Sequence, residues 1–482
     1  MTPLSKLQAK SAAAVILLFF ILSASCAVNP VTGRKEISLI SEQGEISMGE
    51  KTDVEIKQQY GVYKDSELQA YVERVGMQLA PYSHRPHLTY HFAVLDTPVI
   101  NAFAVPGGYI YVTRGILALM KTEAELAVVL GHELGHVNAR HSVRKLSQLM
   151  IVQIGLAAGS ALSETFSKIS GAAGIGVQLL FLKFSRDDER QADALGVEYS
   201  RSGGYDPGAM IGFFQSLQKM GDMSKGHSLP GFLSTHPLTS ERVQNTQAML
   251  TNQDRQLTVA ADAYLNRIDN LVYGADPRQG YVEGQAFYHP TLRFMFATPK
   301  DWELKNTPSQ VILATKDGQA AVVFQAEQSS EKLQTFAQKK LDQLEGATLI
   351  KEQNLRINGL SSYQQLLEIE QSEQENLRTQ MSFIQYGKYF YTFAALSTAS
   401  HFDSYSSRFQ SLVQSFRPLK DPKYLNRKPQ RIRLIRADGR QNLRAIFRAA
   451  NLKEDIWTQF AIMNGMELDQ VPSKNIRIKV SR

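Results

Sequence analysis

One cysteine occurs in 482 residues, Cys26, so the chain can form no internal disulfide even in a compartment that would permit one. No apolar run is long enough to cross a bilayer comfortably. Residues 12–22 (AAAVILLFFIL) and two stretches between 146 and 184 (MIVQIGLAAGSAL and GAAGIGVQLLFLKF) all fall short of the roughly 20 residues a helical span takes. No fixed-period repeat runs along the chain, which argues against a solenoid. Charge of neither sign dominates: the net value of +7 is modest for this length and gives no ground for a nucleic-acid partner. What remains is a globular composition, 43% hydrophobic and 21% charged. The length exceeds one ordinary core and predicts two or three domains.

The most informative segment is His132-Glu133-Leu134-Gly135-His136 (HELGH). On a helix, positions four apart share a face, so His132 and His136 can offer ring nitrogens to one metal ion. Glu133 lies beside that face, where it can polarise a water at the metal. The combination suits zinc-dependent hydrolysis of a peptide bond. Thr122-Glu123-Ala124-Glu125 upstream is a capping-box pattern, which predicts that HELGH sits in a helix of about 18–20 residues.

Two histidines leave a catalytic zinc one protein ligand short. A third histidine close by would require glycine at 139 and histidine at 142, but these are Ala139 and Ser142. His141 reads as a surface residue, or as one supporting a ligand from the same helix. Glu189-Arg190-Gln191-Ala192-Asp193 fits better. At spacing four, Glu189 can bind the metal while Asp193 accepts the outer N–H of a ligating histidine and fixes its tautomer. Ala192, Ala194 and Gly196 around them suggest close packing on the acid-bearing face. His236, in the stiff Thr235-His236-Pro237 element, has three readings: a fourth ligand closing a resting site, an oxyanion donor, or a structural histidine. Arg242 either anchors that loop or steadies the tetrahedral intermediate.

HELGH, ERQAD and THPLTSER in this order, preceded by NAFAVPGGYIYVTRG at 101–115, resemble the HtpX/BepA/Oma-like zinc metalloproteases of the gluzincin clan. The resemblance covers about residues 27–250. It implies one Zn2+ per chain held by His132, His136 and Glu189, Glu133 as general base, and His236 at a position proposed to gate the metal. It also implies that Asn101, Ala102 and Phe103 form the edge strand that pairs with extended substrate, an interaction open to any exposed strand edge. The implied activity is endopeptidase hydrolysis of unfolded or misassembled envelope proteins, in quality control or outer-membrane assembly. The competing reading is a largely non-catalytic envelope chaperone or assembly factor that uses the same fold for binding.

At the N-terminus, Lys6 and Lys10 precede the apolar run, and Ser23, Ala24, Ser25 and Cys26 follow it. This is the pattern of a secretory signal peptide over residues 1–26. Cys26 resembles the acylated cysteine of bacterial lipoproteins, although Ser23 stands where a leucine is usual. Lipidation would hold the protein on a membrane in the periplasm, with the outer membrane the expected one.

The expected fold class is α+β: a mainly helical zincin-type metalloprotease domain at 27–265, an α/β sandwich-like domain at 286–418, and a small βααβ module at 430–482. The middle segment, where aromatic and β-branched runs alternate with turns, resembles the PsbP/Mog-like sandwich. The last resembles a LysM module, which implies peptidoglycan binding. Its many arginines (Arg427, Arg431, Arg433, Arg436, Arg440, Arg444, Arg448) form either a solvated basic face or a contact for anionic glycan or lipid. The stretch at 146–184 reads as buried or lid-like helices over the cleft.

Overall fold

The computed structural model of the chain describes residues 26–157, 183–223, 231–371 and 375–482. The signal-peptide reading lies outside the described residues except for Cys26, and so does the lid reading between residues 158 and 182. No helix among the described residues is long and apolar enough to cross a membrane. The chain forms two compact units: residues up to 57 with 61–274 and 431–482, and residues 58–60 with 275–430.

The first unit opens with a hairpin of β1 (Cys26–Val28) and β2 (Lys35–Ile37). Two helices follow, α1 (Glu42–Tyr60) and α2 (Ser66–Leu79). Apolar residues recur at helical spacing from 53 to 81, and the backbone divides the stretch between two helices. Gly61 ends α1 at φ +70, and the Asp65 side chain caps a fresh start by accepting from Leu68 N–H. The strands β3 (His91–Leu95), β4 (Ala102–Val105) and β5 (Tyr109–Thr113) form a sheet in the order β3-β5-β4. β5 is buried throughout and runs parallel to β3, while β4 pairs antiparallel with β5, its one strand neighbour among the described residues.

α3 (Arg114–Leu119) leads into α4 (Glu123–Asn138). Thr122 caps α4 by accepting from Glu125 N–H at 3.0 Å. The Glu125 carboxylate takes the N–H of Lys121 instead of returning to Thr122, so only half of the reciprocal box forms. The helix has 16 residues, fewer than the sequence suggests, because Arg140 at φ +53 turns the chain into α5 (His141–Ala157). Every residue of α4 is buried, which makes it the centre of the unit.

α6 (Arg186–Ser202) starts with a complete capping box, Ser185 with Asp188. α7 (Ala209–Met223), α8 (Gly231–Thr235), α9 (Ser240–Met249) and α10 (Ala261–Ile268) follow. α4 and α6 approach closely because their facing positions are small. A Cβ on Gly135 would lie 3.1 Å from Ala192 Cα and Leu195 Cβ, and one on Gly196 would lie 3.1 Å from His132 N. Gly135→Leu should therefore cost about 1–3 kcal/mol by overpacking and push the two helices apart. Thermal melting and metal stoichiometry should fall together; intact metal binding at a lowered melting temperature would show that the helices absorb the side chain without moving the site.

The second unit holds two sheets. β6 (Tyr281–Glu283), β7 (Ala286–His289) and β8 (Phe294–Ala297) belong to one; β9 (Trp302–Asn306), β10 (Val311–Thr315) and β11 (Ala320–Gln328) belong to the other. After α11 (Leu333–Asp342), the long antiparallel strands β12 (Ala347–Ile357), β13 (Leu360–Ile369), β14 (Leu377–Tyr386) and β15 (Tyr389–Thr398) complete the seven-stranded sheet β12-β13-β14-β15-β11-β10-β9. α12 (Phe402–Gln414) and β16 (Arg417–Pro418) finish the unit, and β16 joins β8 in the order β16-β8-β7-β6. Alternation sends Phe383 and Phe390 to the core under α11, and Ile384, Tyr391 and Phe393 to the core under α12.

Residues 431–482 return to the first unit. β17 (Ile432–Arg436), α13 (Leu443–Ala449), α14 (Trp457–Asn464) and β18 (Arg477–Ser481) run in βααβ order, with β17 antiparallel to β18. Ile432, Phe447, Phe460 and Val480 join the hydrophobic cluster that contains Leu126 and Leu130 of α4. The sequence reading treats this stretch as a module of its own, whereas here it shares the core of the unit around α4. Lys479 is buried and donates to the carbonyls of Ala118 (2.9 Å) and Met120 (2.6 Å), which caps the end of α3. Burial, aided by Lys121, pushes its ammonium pKa down to about 7.

Candidate metal centre

α4 presents His132 and His136 on one face, and their Nε2 atoms stand 3.1 Å apart. α6, drawn close by the glycine contacts, brings Glu189 to them: Oε1 lies 3.6 Å from His136 Nε2, and Oε2 lies 3.6 Å from His132 Nε2. His236 follows α8 and completes the group. Its Nδ1 is 2.8 Å from Glu189 Oε1 and 3.4 Å from His132 Nε2. One donor atom from each of these four residues lies within 4.8 Å of the others, all four side chains are buried, and no other such group of His, Cys, Asp and Glu occurs among the described residues.

The donor set fits a tetrahedral ion. Ligand bonds of 2.0–2.1 Å place neighbouring donor atoms about 3.3 Å apart, the middle of the separations found here. The outer nitrogens of the rings face polar neighbours. His132 Nδ1 lies 3.0 Å from Asp193 Oδ1. His136 Nδ1 meets His141 Nδ1 at 2.9 Å, and His141 Nε2 meets Gln191 Oε1 at 3.0 Å. With His136 donating to His141 and His141 donating to Gln191, both α4 histidines turn an Nε2 lone pair toward one point.

The electrostatics agree with this arrangement. Burial opposes ionisation of Glu189, yet His236, His132 and Arg242 hold its pKa below the ordinary carboxylate value. Burial likewise opposes ionisation of Asp193, and hydrogen bonds from Arg242 and His132 outweigh it. Burial, with the neighbouring His132, His141, His236 and Arg242, pushes His136 well below its usual value, so it is a neutral ring able to bind a cation. Glu133 differs. Burial raises its pKa, assisted by Glu189 and opposed by His236 and His132. Its Oε1 is buried with no hydrogen-bond partner among the described residues and lies 3.8 Å from His236 Nε2.

Arg242, on α9, grips both acids of α6. It makes two bonds of 2.7 Å to Asp193 and one contact of 2.8 Å to Glu189 Oε2, and it also donates to the Pro237 carbonyl. Asn101 precedes β4, exchanging bonds with Thr113, and its Oδ1 has no partner among the described residues. Ala102 and Phe103 are the first residues of β4, and the Ala104 N–H donates to Glu133. Cys26 lies in β1, and the arginines of the last segment are mostly exposed.

Three features escaped the sequence reading. His141 supports His136, as one of its two readings has it, but it does so from α5 instead of the HELGH helix, because the turn at Arg140 folds it back, buried, under His136. Gln191 supports His141 from within ERQAD. Two aromatic rings flank the site: Phe184 stacks on His136 at 4.1 Å between centroids, and Phe232 stacks on His236 at 4.7 Å. Their position before the Ser185 cap and one helical turn before His236 was the only signal available.

Residues 66–250 match peptidase family M48. The chain is similar to the beta-barrel assembly-enhancing protease of Yersinia pestis, 28% identical over 316 residues that make up 63% of this chain and 60% of the relative. It is also similar to the mitochondrial metalloendopeptidase OMA1 of Schizosaccharomyces pombe, 32% identical over 230 residues, 46% of this chain and 65% of that protein. The chain thus spans about three fifths of the length of these relatives. Among solved structures, cyanobacterial PsbP (CyanoP) from Synechocystis sp. PCC 6803 aligns over 29% of this chain and 98% of its own, with 14% identity and a TM-score of 0.25.

Proposed function

We propose, from the match of residues 66–250 to peptidase family M48, that the chain is a zinc-dependent metalloendopeptidase. The observation that carries this reading is the buried convergence of His132, His136 and Glu189 beside Glu133. The two imidazoles and the Glu189 carboxylate would hold the ion. When bound there, zinc supplies a Lewis acid for the scissile carbonyl and lowers the pKa of water toward about 7. Glu133 takes the proton of the attacking water and returns it to the leaving amine. Asp193 and His141 hold the ligand rings in their tautomers, and Arg242 holds Asp193 and Glu189. β4 is the strand that pairs with an extended substrate, through Asn101, Ala102 and Phe103.

The proposed substrates are unfolded or misassembled envelope proteins, and the proposed role is outer-membrane assembly or quality control, after the name of the Yersinia relative. In this reading the chain is exported to the periplasm and held at a membrane, the outer one, by acylation of Cys26. The arginine-rich end of the chain contacts peptidoglycan, as a LysM-like module would, or anionic lipid. The accessory unit at 286–418 contributes binding rather than chemistry.

One observation favours a second reading, in which the fold mainly binds partners as a chaperone or assembly factor. His236 lies within 3.4 Å of two of the three ligands, and as a fourth ligand it leaves no position for water. The two readings separate in one experiment. Zinc-loaded protein should cleave a denatured substrate slowly, and a chelator should stop it. His236→Ala should cleave faster, by about the inverse of the fraction of time the wild-type site stands open. Activity unchanged or lower in His236→Ala rules out the gate; no cleavage by either protein with zinc bound favours the binding role.

A further inference from the structure

β12 (Ala347–Ile357) ends the seven-stranded sheet, and its 11 residues make it about twice as long as an ordinary strand. Among the described residues β13 is its one strand neighbour, and its one backbone bond outside that ladder joins the Ala347 N–H to the Leu344 carbonyl. Residues 348–354 are exposed, and so is Arg356. α11 leaves the strand clear, because the cluster beneath that helix draws on Tyr363 and Leu367 of β13, Met381 and Phe383 of β14 and Phe390 of β15. Long edges invite pairing with another chain, and proteins usually blunt them with bulges or charges. β12 has a bulge at Ile350, where the register with β13 skips one residue. The regular segment left between that bulge and the Asn358-Gly359 turn is 351–357, with Asn354 at its centre.

The turn fixes which groups point outward. Two turn residues, Asn358 at φ +48 and Gly359 at φ +83, make Ile357 and Leu360 a hydrogen-bonded pair. Alternation then turns the backbone N–H and C=O of Ile357, Leu355, Gln353 and Lys351 toward β13, and those of Arg356, Asn354 and Glu352 away from it. The last three side chains share one face of the sheet. Glu352 and Arg356 form no ion pair among the described residues: Glu352 accepts from the Tyr363 hydroxyl, and Arg356 donates to the Gly359 carbonyl at 3.1 Å. Pairing β12 antiparallel with itself about a two-fold axis at Asn354 sets outward groups against outward groups and places Glu352 opposite Arg356 twice. Moving the axis by one residue, to Gln353 or Leu355, loses both charge pairs. Moving it by two, to Glu352 or Arg356, sets like charges together. The charges and the bulge therefore select the same centre independently. We propose that β12 is a dimerisation edge, joined antiparallel to β12 of a second copy of this chain about a two-fold axis at Asn354. The two seven-stranded sheets then become one. The edge lies outside residues 66–250, and the inference stands apart from the proposed peptidase reading.

Sedimentation of the full chain, from micromolar to near-millimolar, should show a reversible equilibrium between monomer and dimer. Glu352→Arg and Arg356→Glu should each raise the dimer Kd about tenfold or more, because each sets like charges opposite one another twice. Mixing the two variants should restore wild-type affinity, since every pair across the axis is then opposite in charge. Asn354→Pro should abolish the dimer and leave melting of the monomer near wild type, because that N–H points away from β13 and the ladder does not use it. The mixing result keeps the test sound if the proline variant fails to fold. A chain monomeric throughout that range, a dimer indifferent to the charge variants or to a folded Asn354→Pro, or charge variants whose mixture stays monomeric overturns the proposal.

Discussion

Glu133→Gln is expected to lower cleavage of a denatured protein by about 10²–10⁴-fold, the usual contribution of a positioned acid–base group, and to keep its zinc. The substitution preserves shape, so the acceptor for the Ala104 N–H survives and α4 stays filled. What it removes is proton capacity at Glu133 Oε1, a buried oxygen with no hydrogen-bond partner among the described residues. None of the four convergent ligands is touched. The melting temperature should hold or rise, because an ionisable group buried to 1% exposure becomes neutral. Metal analysis and a timed digest of one unfolded substrate read the two halves separately. Wild-type cleavage by the variant removes Glu133 from the chemistry; loss of zinc with activity makes it part of the metal's support instead.

The legible parts of the site were those written in local pattern. The Thr122 cap, the four-residue spacing of His132 and His136, and the Ser185 cap that starts α6 all follow from nearest neighbours along the chain. Glu189 was legible because small residues beside it pointed to a close helix contact, and Gly196 and Ala192 do face α4. Ala194, read in the same way, is only partly buried. What pattern could not supply was return contact across hundreds of residues. Nothing local in RIKVS says that Lys479 ends against the carbonyls of Ala118 and Met120. The same stretch with its basic neighbours reads as a free-standing module, and only the packing of Phe447, Phe460 and Val480 into the cluster around α4 shows otherwise. His141 was obscured for a smaller reason: a single positive φ at Arg140 reverses the chain, and arginine gives no warning of it.

The second large effect belongs to Arg242, whose sequence reading left open a catalytic and an anchoring role. Its guanidinium is 3% exposed and spans Asp193 and Glu189, two carboxylates within one turn of α6 that are both buried to 2% exposure. Arg242→Met keeps most of the stem but removes the guanidinium that lies over the Phe214 ring and leaves two acids without their cation. Breaking a buried pair in this way costs about 3–5 kcal/mol. At roughly 2–4 °C per kcal/mol for a unit of this size, the zinc-free protein should melt about 10 °C lower. Zinc affinity should fall about 10–100-fold, because Asp193 then orients His132 less firmly. Arg242→Lys should recover only part of either loss, since an ammonium cannot make the two parallel bonds to Asp193. A residue that steadied only the reacting carbonyl would behave differently: kcat would drop while melting of the zinc-free protein and its metal affinity stayed at wild-type values. Measuring both on chelated and zinc-loaded samples therefore assigns Arg242 from properties that exist before any substrate binds.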